Sequence, residues 1–453
     1  MIFNDNLLLT DKYNNGLLVN LISFRRRFLS PNQVDEFKTL KYKTSKEVVD
    51  NEFYKKMHEE KQFIAKSLKD KYLSTIKENV NLNNIDKEIT FTPTIILSYD
   101  CNSNCTYCYQ KKINKPSEMM TKSKIDNISQ FYKMYFKSIE NKEYNGEIRQ
   151  IILTGGEPLL IKNIDIIQYI KNVWPTSKFI LQTNGLNLLE FLKVISPDRI
   201  KLIKVSLDGV EDYHNKNRHQ DKYINGFDKI IQGIKQAIRL NLKINIKITV
   251  NTNSIFEINR LLDYLDTENL LYNKNITLGI TGIYDYQNLF VNCNVNHTEL
   301  EFMDRMIELR NYDDRIVTIP KILMPGFGKL DSLIIREINT LYKPKVYACD
   351  CHIHPNYKFD PDGNVYFCQM AFGLNSSKIA SFYPNIEINK DIISKMKERN
   401  IFNMDECKNC SFKLVCGGGC PLPILINNKN PLKSNCEAFN NIEAISKLGK
   451  IYL

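Results

Sequence analysis

Residues 94–108 read Thr-Ile-Ile-Leu-Ser-Tyr-Asp-Cys-Asn-Ser-Asn-Cys-Thr-Tyr-Cys, a β-branched run that breaks into a polar turn and then places cysteines at 101, 105 and 108. Five further short β-rich runs follow, at Gln150–Leu153, Lys178–Gln182, Leu202–Ser206, Asn245–Val250 and Asn275–Ile280. Each is separated from the next by a segment long enough for a helix. Parallel neighbours need such long crossovers, so six β–α repeats predict a parallel α/β sheet. Several runs end in polar, Gly-containing turns: Tyr99–Asp100–Cys101, Thr154–Gly155–Gly156, Thr183–Asn184–Gly185 and Asp208–Gly209. Functional groups gathered after strand C-termini favour a partial (β/α)6 TIM-like barrel over an open sheet, because barrel sites are built from those loops.

The rest of the chain divides around this block. Residues 1–88 contain no cysteine and suggest a small α/β module, with strand-like pieces near 7–10 and 17–24 and Lys-rich helical patterning through Ile76. The barrel is expected over 89–290. A connecting region over 291–345 carries a helix pattern at Thr298–Leu309 and a Pro325–Gly326–Phe327–Gly328 break, but no motif. Residues 346–453 form a cysteine-rich segment with a hairpin signal at Asp360–Pro361–Asp362–Gly363.

Composition narrows the function classes. The chain has 453 residues, 43% of them apolar, which excludes a disordered protein and allows about three domains. Its 62 basic and 51 acidic side chains leave a net charge of +11, small beside the total, so no nucleic-acid partner is expected. No apolar window is long enough to span a membrane, and no signal-peptide pattern opens the chain, which points to the cytoplasm. In that reducing compartment 12 cysteines read as metal ligands or catalytic groups before disulfides.

Cys101, Cys105 and Cys108 give three thiolates for one soft metal centre, one short of a closed site. That suggests a [4Fe–4S] cluster with an open iron, the alternative being a zinc site completed from a distance. The segment Cys101-Asn-Ser-Asn-Cys105-Thr-Tyr-Cys108 resembles the signature of the radical S-adenosylmethionine (SAM) enzymes. The resemblance implies a partial barrel, SAM chelated to the open iron, and a 5′-deoxyadenosyl radical that abstracts hydrogen. It places Tyr107 near the adenine. Thr154–Gly155–Gly156–Glu157–Pro158 resembles the family's GGEP element, where glycines would let backbone approach the ligand. Ser206–Leu207–Asp208–Gly209 with His214 and Arg218 resembles its fourth-strand stretch, which puts Ser206 and Arg218 near the SAM ribose and carboxylate. Thr183–Asn184–Gly185 fits the third-strand turn. His214 alone reads as structural.

The C-terminal spacing is Cys351-x11-Gly363-x4-Cys368, then Cys407-x2-Cys410-x5-Cys416-x3-Cys420, then Cys436. It resembles the SPASM extension, which holds two auxiliary [4Fe–4S] clusters. The resemblance assigns Cys349, Cys351, Cys368 and Cys420 to the first and Cys407, Cys410, Cys416 and Cys436 to the second. The Cys349-x-Cys351 spacing is tighter than the family's and could leave one iron open to a substrate thiolate. Two zinc ribbons are the alternative for these eight thiols. Cys293 is left over, as a buried small hydrophobe or a hydrogen donor.

Members with this extension mostly modify peptides or proteins. The N-terminal module is similar in size and pattern to leader-recognition domains, which bind a precursor peptide by adding a strand to a sheet edge. The leading expectation is therefore a peptide maturase that forms a thioether and takes electrons from a flavodoxin or ferredoxin. Carbon–carbon cross-linking, epimerisation and a sulfatase-type formylglycine maturase share the first chemical step. A non-enzymatic zinc-ribbon interaction protein is the bland alternative. No pattern fixes the oligomeric state.

Overall fold

The computed structural model describes residues 6–10, 14, 16–21, 26–40, 51–59, 66–83, 91–108, 110, 118–218, 225–283, 299–319, 322–323, 344–349, 354–427 and 429–436. Cys293, Cys351 and the Pro325–Gly328 break lie outside the described residues.

The N-terminal part opens with three antiparallel strands in the order β1-β2-β3: β1 (Asn6–Thr10), β2 (Gly16–Asn20) and β3 (Arg26–Leu29). Helices Pro31–Leu40, Glu52–Glu59 and Lys66–Asn83 follow. Leu18 and Leu29 of the sheet pack with Val34, Phe37, Leu40, Phe53 and Met57 in a small core of their own. The strand expected over residues 17–24 ends at Asn20, and β3 is an element the sequence reading missed. Its arginine-rich start, Arg25–Arg26–Arg27, interrupts the apolar alternation that marks a half-buried strand.

Six parallel strands then form the barrel wall: β4 (Thr94–Ile96), β5 (Gln150–Thr154), β6 (Lys178–Thr183), β7 (Ile200–Ser206), β8 (Ile244–Val250) and β9 (Ile276–Gly282). Each pairs in parallel with the next, and β10 (Ile322–Leu323) extends β9. Helices Lys122–Tyr135, Ile164–Val173, Leu188–Val194, Gly226–Arg239, Glu257–Thr267 and Glu299–Tyr312 supply the crossovers. In Gly226–Arg239 the buried Phe227, Ile230, Ile231, Ile234 and Ala237 repeat at helical spacing, so one stripe covers the sheet. Along β8, Ile244, Ile246 and Ile248 are fully buried against that helical layer, which turns Asn245, Lys247 and Thr249 to the opposite face. Each such isoleucine contributes about 1.5–3 kcal/mol by leaving water.

The C-terminal segment does not build a separate sheet. β11 (Lys358–Phe359) pairs in parallel with β4, on the side away from β5. β12 (Asn364–Tyr366), β13 (Lys378–Ser381) and β14 (Glu387–Ile388) continue antiparallel, giving one sheet in the order β10-β9-β8-β7-β6-β5-β4-β11-β12-β13-β14. The expected hairpin turn is present, with Asp360 Oδ1 accepting the Asn364 N–H at 2.8 Å. Pairing with β11 covers the β4 edge of the barrel and brings the second cysteine segment beside the first. Among the described residues no helix is long and apolar enough to cross a membrane.

Candidate active site

The loop after β4 carries Cys101, Cys105 and Cys108, and three other strand ends hold it. The Asn104 N–H donates to the Arg218 carbonyl at 3.1 Å, and the Thr106 N–H to the Asn217 carbonyl at 3.0 Å. The loop is thereby laced to the last turn of helix Glu211–Arg218. From the β6 end, Asn184 Nδ2 donates to Asn102 Oδ1 at 2.7 Å and Ser103 Oγ at 3.1 Å, and lies 3.9 Å from Cys101 Sγ. All three sulfurs sit within electrostatic reach of one another.

Beneath them lies a buried ion pair. Arg218 Nε donates to Asp208 Oδ2 at 2.8 Å and its Nη2 to Oδ1 at 3.1 Å. The Tyr107 hydroxyl donates to Asp208 Oδ2 at 2.6 Å, Arg218 Nη2 also bonds Tyr107, and Nη1 approaches Cys105 Sγ at 3.8 Å. Asp208 further accepts the Thr249 N–H at 3.1 Å, which links the end of β8 to the same carboxylate. Burial alone would push Asp208 up, but Arg218 and the bonds it receives hold it below the ordinary carboxylate value. His214 is buried, accepts the Asp208 N–H through Nδ1 at 3.2 Å and stacks edge-on to Phe227, as a structural histidine would.

This geometry modifies the expected part of Arg218. Its fork is shared between Asp208, Tyr107 and Cys105, so it also locks the cysteine loop. Asp208, which in the sequence reads as half of a common Asp-Gly turn, is the hub. Its signal is its place one residue before Gly209 and ten before Arg218 in the fourth-strand pattern.

The Gly155–Gly156 turn is also explained differently. A Cβ on Gly155 would lie 2.4 Å from the Ser98 carbonyl oxygen, and one on Gly156 would lie 2.2 Å from that of Asp100. The close approach these glycines permit here is to the backbone entering the cysteine loop. Thr154 is buried, its hydroxyl 3.5 Å from Gln182 Oε1. Glu157 is almost fully buried and accepts from Thr183 Oγ1 at 2.6 Å, the Asn184 N–H at 2.7 Å and the Leu159 N–H at 2.9 Å. Its carboxylate thus ties the second-strand turn to the third. Ser206, partly buried, closes β7 in register with Lys247 of β8.

Burial pushes Glu157 up to about 6 against these three donors. A carboxyl raised on folding binds more protons in the folded state, so its share of stability is full below pH ~4.5 and is lost as pH rises through about 6. Thermal melts of the wild type should lose stability across that window relative to Glu157→Gln; parallel curves for the two would contradict the assignment.

The C-terminal thiols fall into two groups. Burial pushes Cys368 up to about 12, and its thiol neighbours Cys420 and Cys349 act in the same direction. Burial likewise pushes Cys407 up to about 12, with Cys416, Cys436 and Cys410 as its thiol neighbours. Among the described residues no three ligands converge at single-ion distances. Tyr99, two residues before Cys101, donates to Asp360 Oδ2 at 3.1 Å and so joins the first cysteine loop to the β11–β12 hairpin leading to Cys368.

The sequence model of the radical SAM superfamily matches residues 95–265. Residues 95–265 thus carry a radical SAM domain, and the chain is an enzyme. SAM and a [4Fe–4S] cluster are the cofactors of such domains, and the loop with Cys101, Cys105 and Cys108 offers three free thiols that could hold a cluster. A cysteine-type anaerobic sulfatase-maturating enzyme of Clostridium novyi (strain NT) is 25% identical over 382 residues, covering 78% of this chain and 94% of that protein. The fold is similar to that of Streptococcus suis SuiB bound to precursor peptide SuiA, with a TM-score of 0.52, 15% identity, and coverage of 97% of this chain and 99% of that one. It is similar also to native anSMEcpe with bound AdoMet and Cp18Cys peptide, at TM-score 0.52 and 18% identity over 80% of this chain and 98% of that one.

Proposed function

We propose that this radical SAM enzyme matures a ribosomally made peptide, binding the precursor through its N-terminal module and closing a thioether at a core residue. The observation that carries the reading is the three-stranded sheet ahead of the barrel, whose β3 edge has no strand partner among the described residues. An open edge of this kind takes an extended peptide as an added strand. Phe28, on β3, is 61% exposed and offers that peptide an apolar contact. The likeness to anSMEcpe leaves out a fifth of this chain, about the size of residues 1–88, whereas that to SuiB spans 97% of it.

Bound together on the first cysteine loop, SAM and the reduced cluster supply a carbon radical able to take hydrogen from an unactivated C–H bond. The chain's own residues prepare that site. Asp208, Arg218 and Tyr107 fix the loop from below. Asn184 and Glu157 fix it from the side, and Thr154, Gly155, Gly156, Thr183 and Ser206 shape the strand ends around SAM. Cys349, Cys351, Cys368 and Cys420 would hold one auxiliary [4Fe–4S] cluster, and Cys407, Cys410, Cys416 and Cys436 another. Thioether closure removes two hydrogens from the peptide, an oxidation that suits a chain with further redox centres; a flavodoxin or ferredoxin would supply the starting electron. The second reading, a formylglycine-forming protein maturase, is favoured by the likeness to the Clostridium novyi enzyme.

The test is to give the anaerobically reconstituted chain the product of a neighbouring small, cysteine-bearing reading frame. A peptide two hydrogens lighter with a blocked thiol supports the proposal; formylglycine in a sulfatase-derived peptide, with no change in the small peptide, supports the second reading. Removing residues 1–85 should weaken precursor binding at least tenfold, about 1.4 kcal/mol, while SAM cleavage persists. Unchanged binding would remove the leader-recognition role.

A further inference from the structure

We propose that Arg399 is the counter-cation of the second auxiliary centre, a buried guanidinium that raises the reduction potential of a cluster held by Cys407, Cys410, Cys416 and Cys436. The segment between Cys416 and Cys420 builds its position. Gly417, Gly418 and Gly419 all lie in the left-handed region, at φ +68, +86 and +77°, and a Cβ on the first or the last would collide with the backbone of Tyr347 or Asn435. The carbonyls of Gly418 and Gly419 accept from Arg399 Nη2 at 3.0 Å and Nη1 at 3.2 Å, and the Lys433 carbonyl accepts from Nη2 at 2.9 Å. The guanidinium thus ties the Cys416–Cys420 segment to the one that leads to Cys436.

Arg399 is fully buried and lies in electrostatic reach of Cys407. There burial, and then the Cys416, Cys436 and Cys410 thiols, raise the thiol pKa, and Arg399 acts against them. Carbonyls satisfy its N–H groups but carry no net charge, and a buried cation gains from an anion beside it. Four thiolates around an iron–sulfur core form such an anion. Reduction adds negative charge to it, so a fixed cation favours the reduced form over the oxidised one. Backbone donors point the same way. Among the described residues neither the buried Gly418 N–H nor that of Gly419 donates to a backbone carbonyl, and such N–H groups suit the sulfurs of a cluster. The proposal rests on the reading that the second thiol group holds a [4Fe–4S] cluster.

The experiment is a redox titration, followed by electron paramagnetic resonance, of the anaerobically reconstituted full chain and of its Arg399→Met and Arg399→Lys variants. Cys410→Ser marks the signal that belongs to the second centre. Arg399→Met should make reduction of that centre at least tenfold less favourable, a fall of about 59 mV for one electron, and leave the other potentials in place. Arg399→Lys, which keeps the charge without the planar fork, should restore most of the loss. An iron-loaded Arg399→Met with an unchanged potential would overturn the proposal and leave Arg399 a brace for the loop. If Arg399→Met does not load iron, Arg399→Gln, which can still donate to the carbonyls, is read by the same criterion. Iron lost from the glutamine variant but kept by Arg399→Lys supports the charge; iron lost from both overturns it. Zinc in place of iron in the unaltered chain would overturn the proposal by a separate route, through the cluster assignment on which it rests.

Discussion

Replacing Asp208 by alanine should destabilise the folded chain by about 3–5 kcal/mol, because it leaves the Arg218 guanidinium buried and uncompensated. Both partners are withdrawn from water, with 6% and 0% of their side-chain surfaces exposed, so solvent cannot take over the lost role. The same carboxylate accepts from Tyr107, Asn217 and the Thr249 backbone, and each of these would lose its acceptor. The melting temperature should fall by roughly ten degrees. Binding of SAM should fall with it, since the Asn104 and Thr106 bonds that seat the cysteine loop end on Arg218 and Asn217. Asp208→Asn, which keeps the shape and one acceptor, should lose less of both. A shift of under two degrees for Asp208→Ala would show that the pair does not organise the site.

The second large effect concerns the thiols themselves. Alanine at Cys101, Cys105 or Cys108 should reduce SAM cleavage to background, measured as 5′-deoxyadenosine released under a strong chemical reductant. No nearby thiol can substitute: the described C-terminal cysteines belong to the two groups around Cys368 and Cys407, each with its own thiol neighbours. The variants should keep the iron of those groups and their melting behaviour, which separates loss of chemistry from loss of fold. Retained 5′-deoxyadenosine in any of the three would reject the loop after β4 as the reaction centre.

Much of this architecture is legible in the sequence because its signals are local. All six β-rich runs coincide with β4 to β9, since a β-branched run bounded by turn residues carries its own propensity. The described C-terminal thiols lie in two groups, around Cys368 and around Cys407, and that grouping is what the resemblance to the SPASM extension implies rather than something spacing alone predicts. What the sequence hides is long-range. Nothing in Lys358–Phe359 announces that it pairs with β4, more than 250 residues earlier, and makes one sheet of two expected domains. The role of Asp208 depends on four partners from three elements, none of them adjacent to it. Nothing local to Gly155 and Gly156 announces that the Ser98 and Asp100 carbonyls pass close to them.

The proposed chemistry requires the thiols to hold three iron–sulfur clusters. Iron, acid-labile sulfide and zinc should therefore be measured on the anaerobically reconstituted full chain. Three four-iron clusters predict about twelve iron and twelve sulfide per chain with negligible zinc. About four iron together with one or two zinc would contradict the auxiliary clusters and return the C-terminal cysteines to zinc ribbons.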